Sequence, residues 1–412
     1  MSPYSLVFAA LMGCGPKTPP ESAVLSGSFN AEATWEEFEA LVRENYADLD
    51  GQSFSVDAQL AHTRALALAA EDVADLRSIL HRSTFAFSDP QFTVGPFSDS
   101  DSNLFPIDSD LVIEERETGF FVVDVRAHSA MEHIAVRPGW QVNTVGGQDM
   151  EASIEAVWGG AVEARTSEQR AYAATLALSG IRGNTRTMTF EFEGLERIIE
   201  AHNPRDFSEE VRALPMLLSG SMEGYGWIRI HNSLGEPTIP AAFDAALTEL
   251  SDSPGILIDL RNTPSIGSPD VAHAIIGHFI TQAYAYPIYE RPTGEGAIEE
   301  RVAPRAPHYS GKVAVLGGYW TGSTGEGLLR GLHAAAGART FGPARGDLLG
   351  RVLTFDLETA DIRVELGAER LFHVNGTPRE DFVTDVPMAA SDRAETGEDP
   401  ALRAALDWLA EP

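Results

Sequence analysis

Lys312-Val313-Ala314-Val315-Leu316 and, a short loop later, Gly322-Ser323-Thr324-Gly325-Glu326 leading into residues 328–336 decide how this chain is read. Apolar β-branched residues between turn residues predict a buried strand, and the periodic run after them predicts a helix. Ser323 therefore stands on a strand-to-helix turn with glycines on both sides. Such a turn exposes a hydroxyl and sets the first N–H groups of the helix beside any oxyanion formed there. The same residues also admit a plainer reading, because serine before a helix with glutamate three positions on (Ser323, Glu326) is a capping box. The upstream strand Gly255-Ile256-Leu257-Ile258-Asp259-Leu260-Arg261-Asn262, placed to join 312–316 in one parallel sheet, favours the nucleophile.

Outward from this pair, strands and helices alternate. Gly226-Trp227-Ile228-Arg229-Ile230 reads as a strand and residues 239–250 and 269–280 as helices. Arg339-Thr340-Phe341-Gly342 starts another strand, residues 352–355 and 362–366 form a hairpin, and Asp399-Pro400 caps a helix ending near Leu409. That alternation predicts an α/β core over 202–395 and a C-terminal helix over 396–412. Residues 103–201 are β-rich: Gly119-Phe120-Phe121-Val122-Val123-Asp124-Val125 is a strand, 129–134 a short helix, and 136–147 a turn, strand and hairpin. Over 31–102 the pattern is helical, with Trp35, Phe38, Leu41, Val42 and Tyr46 at three- and four-residue steps, then runs over 60–70 and 73–80. Residues 85–94 read as two short strands joined by a turn around Asp89-Pro90-Gln91. The expected architecture is α/β and multidomain.

Composition narrows the function. The 412 residues are 43% hydrophobic, enough for two or three cores. Sixty-one acidic against 30 basic residues leave a formal charge of −31, which repels nucleic acid and anionic lipid. Only Lys17 and Lys312 are lysines, so a lysine base has two candidates. With a single cysteine, Cys14, an internal disulfide and a multi-cysteine zinc site are both excluded. His128, Glu132 and His133 miss the H-E-x-x-H spacing, and there is no phosphate-binding loop, so neither a metal nor a cofactor is expected. Cys14 closes the apolar run Leu6-Val7-Phe8-Ala9-Ala10-Leu11-Met12-Gly13, too short to span a bilayer. The run resembles a bacterial lipoprotein signal over 1–14, with Cys14 as the lipidated residue and 15–30 as a tether. Residues 1–5 carry no Lys or Arg, and an uncleaved secretory peptide is the alternative. The lipoprotein reading implies a membrane partner through the lipid and a place in the bacterial envelope, facing the periplasm or the surface.

Two resemblances follow. Residues 103–201 resemble a PDZ domain, with Val136-Arg137-Pro138-Gly139-Trp140 where that family has Pro-Gly-Asp and Gly146-Gly147 where it has Asn-Gly. The likeness implies capture of a peptide as an added strand; the alternative is a β-domain that only packs. A helical segment, a PDZ-like unit and an α/β core carrying 226–230, 255–261, 323–326, 337–342 and Asn375-Gly376-Thr377-Pro378 before Asp385-Val386-Pro387 together resemble the C-terminal-processing, or tail-specific, serine peptidases. That resemblance spans roughly 31–410. It implies a core of the ClpP/crotonase-like type, a polypeptide substrate, Ser323 as nucleophile, and the Thr324 N–H with the loop after Arg261, through Gly267, as oxyanion donors.

The departures from that family fall on the chemistry. One branch uses a lysine base, but Pro343-Ala344-Arg345-Gly346-Asp347-Leu348-Leu349-Gly350 holds none, arginine stays protonated, and Lys312 starts a strand. The tricorn-like branch uses the histidine of an Asp-x-His turn, and Gln91 stands there, unable to accept a proton. Pro264 in Thr263-Pro264-Ser265-Ile266-Gly267-Ser268 has no N–H to donate. Glu380 matches loosely the supporting acid of that branch. His81, His231, His308 and His333 are candidate replacement bases, with His81 and His308 expected at the surface and His333 too far along its helix. Two functions remain open: a serine peptidase with an unidentified base, and a non-catalytic, membrane-anchored peptide binder. An esterase of the α/β-hydrolase type ranks third, because Thr321 stands where its G-x-S-x-G turn needs glycine.

Overall fold

The structure, a computed structural model, describes residues 29–127, 129–206, 215–231, 234–264, 267–292, 294, 296–343, 351–372, 376–378, 381–388 and 399–412. Cys14, Arg345, Asn375, Glu380 and His128 lie outside the described residues, as do the signal and tether over 1–28.

Three helices open the fold: α1 (Ala31–Asn45), α2 (Val56–Ala67) and α3 (Val73–Thr84). Each starts at a polar side chain, Asn30, Ser55 or Asp72, that accepts an N–H of the first turn. The three- and four-residue stripe of Trp35, Phe38 and Val42 is buried, together with Leu60, Leu76 and Leu80. Residues 85–94 depart from the two expected strands. Phe85–Phe87 is a 3-10 turn ending at left-handed Ser88, and only β1 (Thr93–Gly95) is extended. Phe85-Ala86-Phe87 looks periodic in the sequence, yet all three are buried, with the Phe87 ring 5.1 Å from both Tyr46 and Phe92. A tight turn buries all three, whereas a strand would put alternate residues on opposite faces.

The β-rich stretch contains β2 (Leu111–Arg116), β3 (Gly119–Val125), α4 (Ala130–His133), β4 (Gln141–Val145), β5 (Gln148–Asp149), α5 (Met150–Trp158), α6 (Ser167–Ser179), β6 (Arg186–Phe192) and β7 (Leu195–Ala201). They form an antiparallel sheet in the order β2-β3-β4-β6-β7, with β5 on β4. Gly146 and Gly147 both take positive φ (59° and 78°), the backbone a two-residue hairpin turn requires.

The core runs β8 (Leu217–Met222), β9 (Tyr225–His231), α7 (Ile239–Glu249), β10 (Gly255–Asn262), α8 (Pro269–Gly277), β11 (Tyr284–Glu290), β12 (Ile298–Val302), β13 (Lys312–Leu316), α9 (Thr324–Ala336), β14 (Arg339–Gly342), β15 (Arg351–Asp356), β16 (Arg363–Phe372), β17 (Val386–Pro387) and α10 (Pro400–Ala410). One sheet has the order β17-β14-β13-β10-β9-β8, parallel throughout except for the β8–β9 hairpin. Both its faces are covered, which is why β10 reads as a nearly continuous apolar run. Ile256, Ile258 and Leu260 pack in the cluster that includes α7, α8 and α9, while Leu257 packs with Ala401, Ala405 and Leu409 of α10. A second sheet, β1-β16-β11-β12 with β15 on β16, ties the N-terminal segment to the core through Thr93↔Glu365 and Val94↔Val364. The β11–β12 hairpin was not among the strands expected from sequence. Pro287 inside β11 interrupts the pattern by which a strand is recognised.

Within the β-rich stretch, Arg186 and Asp110 are 4% and 1% exposed and form a two-pronged pair, Nη1 to Oδ1 at 2.8 Å and Nη2 to Oδ2 at 2.7 Å. The guanidinium also donates to the carbonyls of Leu178 and His202. Removing one partner strands a buried charge. Arg186→Met is expected to cost about 3–5 kcal/mol in equilibrium urea unfolding, and adding Asp110→Leu to recover most of it. Equal stability of the two variants would contradict this.

Candidate active site

The ends of β10 and β13 are joined beyond the regular sheet. Thr263 bridges Thr321 in parallel register, its N–H donates to Trp320 O (2.9 Å), and its carbonyl accepts from Gly322 N–H (2.9 Å). Thr321 Oγ1 donates back to Leu260 O and accepts from Gly318 N–H. This lattice delivers the chain to Ser323 at φ 46°, ψ −109°, a conformation that L-residues rarely adopt. The next residue begins α9. The capping-box reading fails: the Ser323 side chain caps no helical N–H, and Glu326 is fully buried, with Oε1 3.8 Å from Arg330 Nη2. Gly325 is required here, because a Cβ would lie 2.3 Å from Thr263 Oγ1. Gly331 likewise lets α8 and α9 approach, since a Cβ there would meet Ile276 and Tyr286. Tyr286 Oη donates to Gly327 O at 2.7 Å and anchors β11 to the first turn of α9.

Ser323 opens onto a cavity of about 270 Å3. Gly267 and Thr324 share its wall, with Pro269, Ala272, Tyr286, Leu371 and Phe372 forming the apolar surface. Three residues singled out in the sequence, Ser323, Thr324 and Gly267, therefore meet. Their relation holds one difference from expectation: the Gly267 N–H donates to Thr324 Oγ1 at 3.1 Å, so the proposed oxyanion donor is engaged by a hydroxyl. Gly267 itself sits so close to Leu234 and Thr324 that a Cβ would fall at 2.9 Å from each.

The same cavity is lined by His273, on α8, and by Glu300, on β12. His273 Nε2 lies 3.6 Å from Glu300 Oε2, in ion-pair range, and Arg351 Nη1 holds the same glutamate at 3.3 Å. Burial pushes the imidazole below its usual range; Glu300 and Asp270 pull it up only in part. His273 is thus neutral near pH 7 and able to accept a proton. Sequence reading passed it over, because inside a helical run it carries no motif and only the packing of α8 on α9 brings it to the cavity of Ser323.

The other candidates lie elsewhere. His81 is buried, not superficial: it is 2% exposed, Nδ1 accepts from Val94 N–H at 3.4 Å, and burial drives it down to about 4. His231 is buried at the end of β9, and His308 is exposed. His333 lies about 15 Å along α9 from Ser323, with Nδ1 3.3 Å from Asp385 Oδ2. Lys312 Nζ donates to the carbonyls of Trp408 and Glu411, at the opposite end of β13. Gln91 is buried and is not part of the wall around Ser323; its N–H donates to Asp89 Oδ1 at 2.8 Å. Burial lifts Asp89 to about 7, against the pull of that bond and of Tyr46 Oη. Among the described residues no cluster of His, Cys, Asp and Glu is arranged to hold a metal, and no helix is long and apolar enough to cross a membrane.

Solved structures share the overall fold. Mature CPAF, in complex with lactacystin, matches with a TM-score of 0.58 at 12% identity over 92% of this chain and 97% of that one. The photosystem II D1 C-terminal processing protease matches with a TM-score of 0.54 at 15% identity, over 87% and 93%. The chain has the fold of the C-terminal-processing peptidases. No family model matches the sequence, and no curated protein does.

Backbone strain at Ser323 gives a direct check. Glycine adopts positive φ without penalty, so Ser323→Gly is expected to be about 1 kcal/mol more stable than Ser323→Ala in urea unfolding, although glycine loses more chain entropy on folding. An alanine variant as stable as the glycine variant would mean that position 323 carries no strain.

Proposed function

We propose that this protein is a serine peptidase of the C-terminal-processing type, with Ser323 as nucleophile and a polypeptide as substrate. The observation that carries the reading is the serine at positive φ on the β13–α9 turn, opening onto a cavity it shares with a neutral histidine. Ser323 Oγ attacks the scissile carbonyl while His273 takes its proton, and the developing oxyanion lies against the first turn of α9, where the helix dipole is positive. Glu300 stabilises the imidazolium, and His273 returns the proton to the leaving amine. Water then repeats the sequence on the acyl-enzyme. The β-rich unit over 103–201 acts as a PDZ-like module that holds the substrate as an added strand. Cys14, at the end of its apolar run, anchors the chain to the bacterial envelope.

One observation favours a second reading, a non-catalytic peptide binder. The Gly267 N–H already donates to Thr324 Oγ1, which removes one expected oxyanion donor unless that hydroxyl turns away.

A fluorophosphonate probe separates the two. On the peptidase reading, the folded full-length protein is labelled at Ser323, as located by peptide mass spectrometry, and Ser323→Ala and heat-unfolded protein are not. A folded protein that takes no label supports the binder.

A further inference from the structure

A second cavity, of about 250 Å3, lies between the N-terminal helices and the β-rich unit and shares no wall residue with the one at Ser323. α3 and the turn after it contribute His81, Arg82 and Phe85, while Val145 comes from β4, Val157 from α5 and Leu176 from α6. Phe85, Val157 and Leu176 are buried and Val145 is half-buried, so one side of the cavity is apolar.

The charges in the wall differ in how they are matched. Asp101 takes two bonds from the Arg77 guanidinium, both at 3.0 Å, and a third from the Ser98 N–H. Arg186 is engaged by Asp110 and by the carbonyls of Leu178 and His202. The third, Arg82, has no ion-pair or hydrogen-bond partner among the described residues. Its place is nevertheless fixed, because it lies against Gly159 at the end of α5, where a Cβ would collide with Arg82 Nη1. The partial negative charge of that helix end offsets only part of a full cation.

His81, next to Arg82 in the same wall, supplies an independent sign of a ligand. It is 2% exposed, and its Nδ1 accepts from the Val94 N–H, which puts the ring proton on Nε2. Nε2 is buried and has no partner. Burial keeps this ring neutral; Asp101 opposes that, while Arg77, Arg82 and Arg182 reinforce it. The ring is therefore an N–H donor in a field of three arginines against one aspartate. A buried donor without an acceptor is unfavourable, and an oxygen placed in the cavity would satisfy it. One unmatched guanidinium and one neutral donor beside an apolar wall suit a single carboxylate on a short apolar body. An ammonium would meet Arg82 and the donor proton of His81, and a dianion would find one unmatched cation and the Asp101 carboxylate in the same wall. The volume is below the usual range of about 300–1,000 Å3 for drug-sized ligands.

We propose that this cavity binds a small organic monocarboxylate, its oxygens on the Arg82 guanidinium and His81 Nε2–H and its apolar body against Phe85, Val157 and Leu176. The site stands independently of the peptidase reading.

The test is binding to the full-length protein, read by calorimetry, with hexanoate, octanoate and 4-phenylbutyrate as probes beside 1-hexanol, hexylamine and inorganic phosphate. At least one carboxylate is expected to bind with a dissociation constant tighter than ~10 mM, and more tightly than the alcohol, the amine or phosphate. Arg82 is half-buried and unpaired, so Arg82→Gln should keep the fold, checked by thermal unfolding, and weaken the carboxylate by about tenfold or more. His81→Phe keeps a buried ring but removes the donor, and should weaken it as well. No binding by any of the three carboxylates overturns the proposal. Phosphate bound as tightly as the best carboxylate would mean a plain anion site, and hexanol bound as tightly would mean an apolar pocket with no use for Arg82; either result overturns it. So does carboxylate binding that Arg82→Gln leaves unchanged, which would place the ligand elsewhere in the molecule.

Discussion

Two parallel strands, β10 and β13, end side by side, and the backbone just beyond them stays joined through Thr263, Trp320, Thr321 and Gly322. Without that junction Ser323 would relax into an ordinary helix cap. A residue in a sparsely populated backbone region costs about 1–3 kcal/mol and persists only where its surroundings over-determine it. Here the hydrogen bonds on either side do so: Gly322 N–H to Thr263 O before Ser323, and Gly327 N–H to Ser323 O after it. The close glycine contacts at Gly325 and Gly331 follow from the same constraint, since α9 must lie against both the β10 loop and α8.

The junction also links regions far apart in sequence. Arg126, at the end of β3, donates to Asn262 at the end of β10 and to the carbonyls of Ile107 and Ser109, while Trp320 Nε1 donates to Ser109. The β-rich unit thus touches the two segments that position the serine. Arg126 is fully buried, and that burial lowers its guanidinium to about 10, with Asp110 and Asp108 partly offsetting it. At the same end of β10, Asp259 is completely buried too. Burial would raise its carboxyl, but Arg261 and Arg229 outweigh that and hold it well below the carboxylate range. A paired charge at the mouth of the sheet keeps the β10 end polar and fixes the direction of the chain leaving it.

Much of this was legible in the sequence because the parallel strands are covered on both faces and therefore appear as apolar runs; residues 255–262 and 312–316 fall where they were expected. The turn at Ser323 was legible through its glycines, of which Gly325 marks backbone that a side chain would obstruct. Other features left no local trace. Phe85–Phe87 mimics a strand because its burial comes from three directions at once, and Pro287 hides β11. His273 is one histidine in an amphipathic helix, and it comes to the cavity of Ser323 only when α8 lies on α9. Likewise the Gly267 N–H, expected to serve an oxyanion, meets the Thr324 hydroxyl, a contact between residues that only the fold makes neighbours.

The most direct measurement is the pH dependence of fluorophosphonate labelling at Ser323, in the unmodified protein and in His273→Gln. Burial holds His273 below its usual value of 6.5, so its base form predominates at neutral pH. If His273 accepts the serine proton, the rate rises with pH to a plateau whose midpoint lies below 6.5. The variant then loses that plateau, with a rate lower by about 10²–10⁴. Equal rates and the same pH profile in both proteins would contradict a role for His273 in activating Ser323.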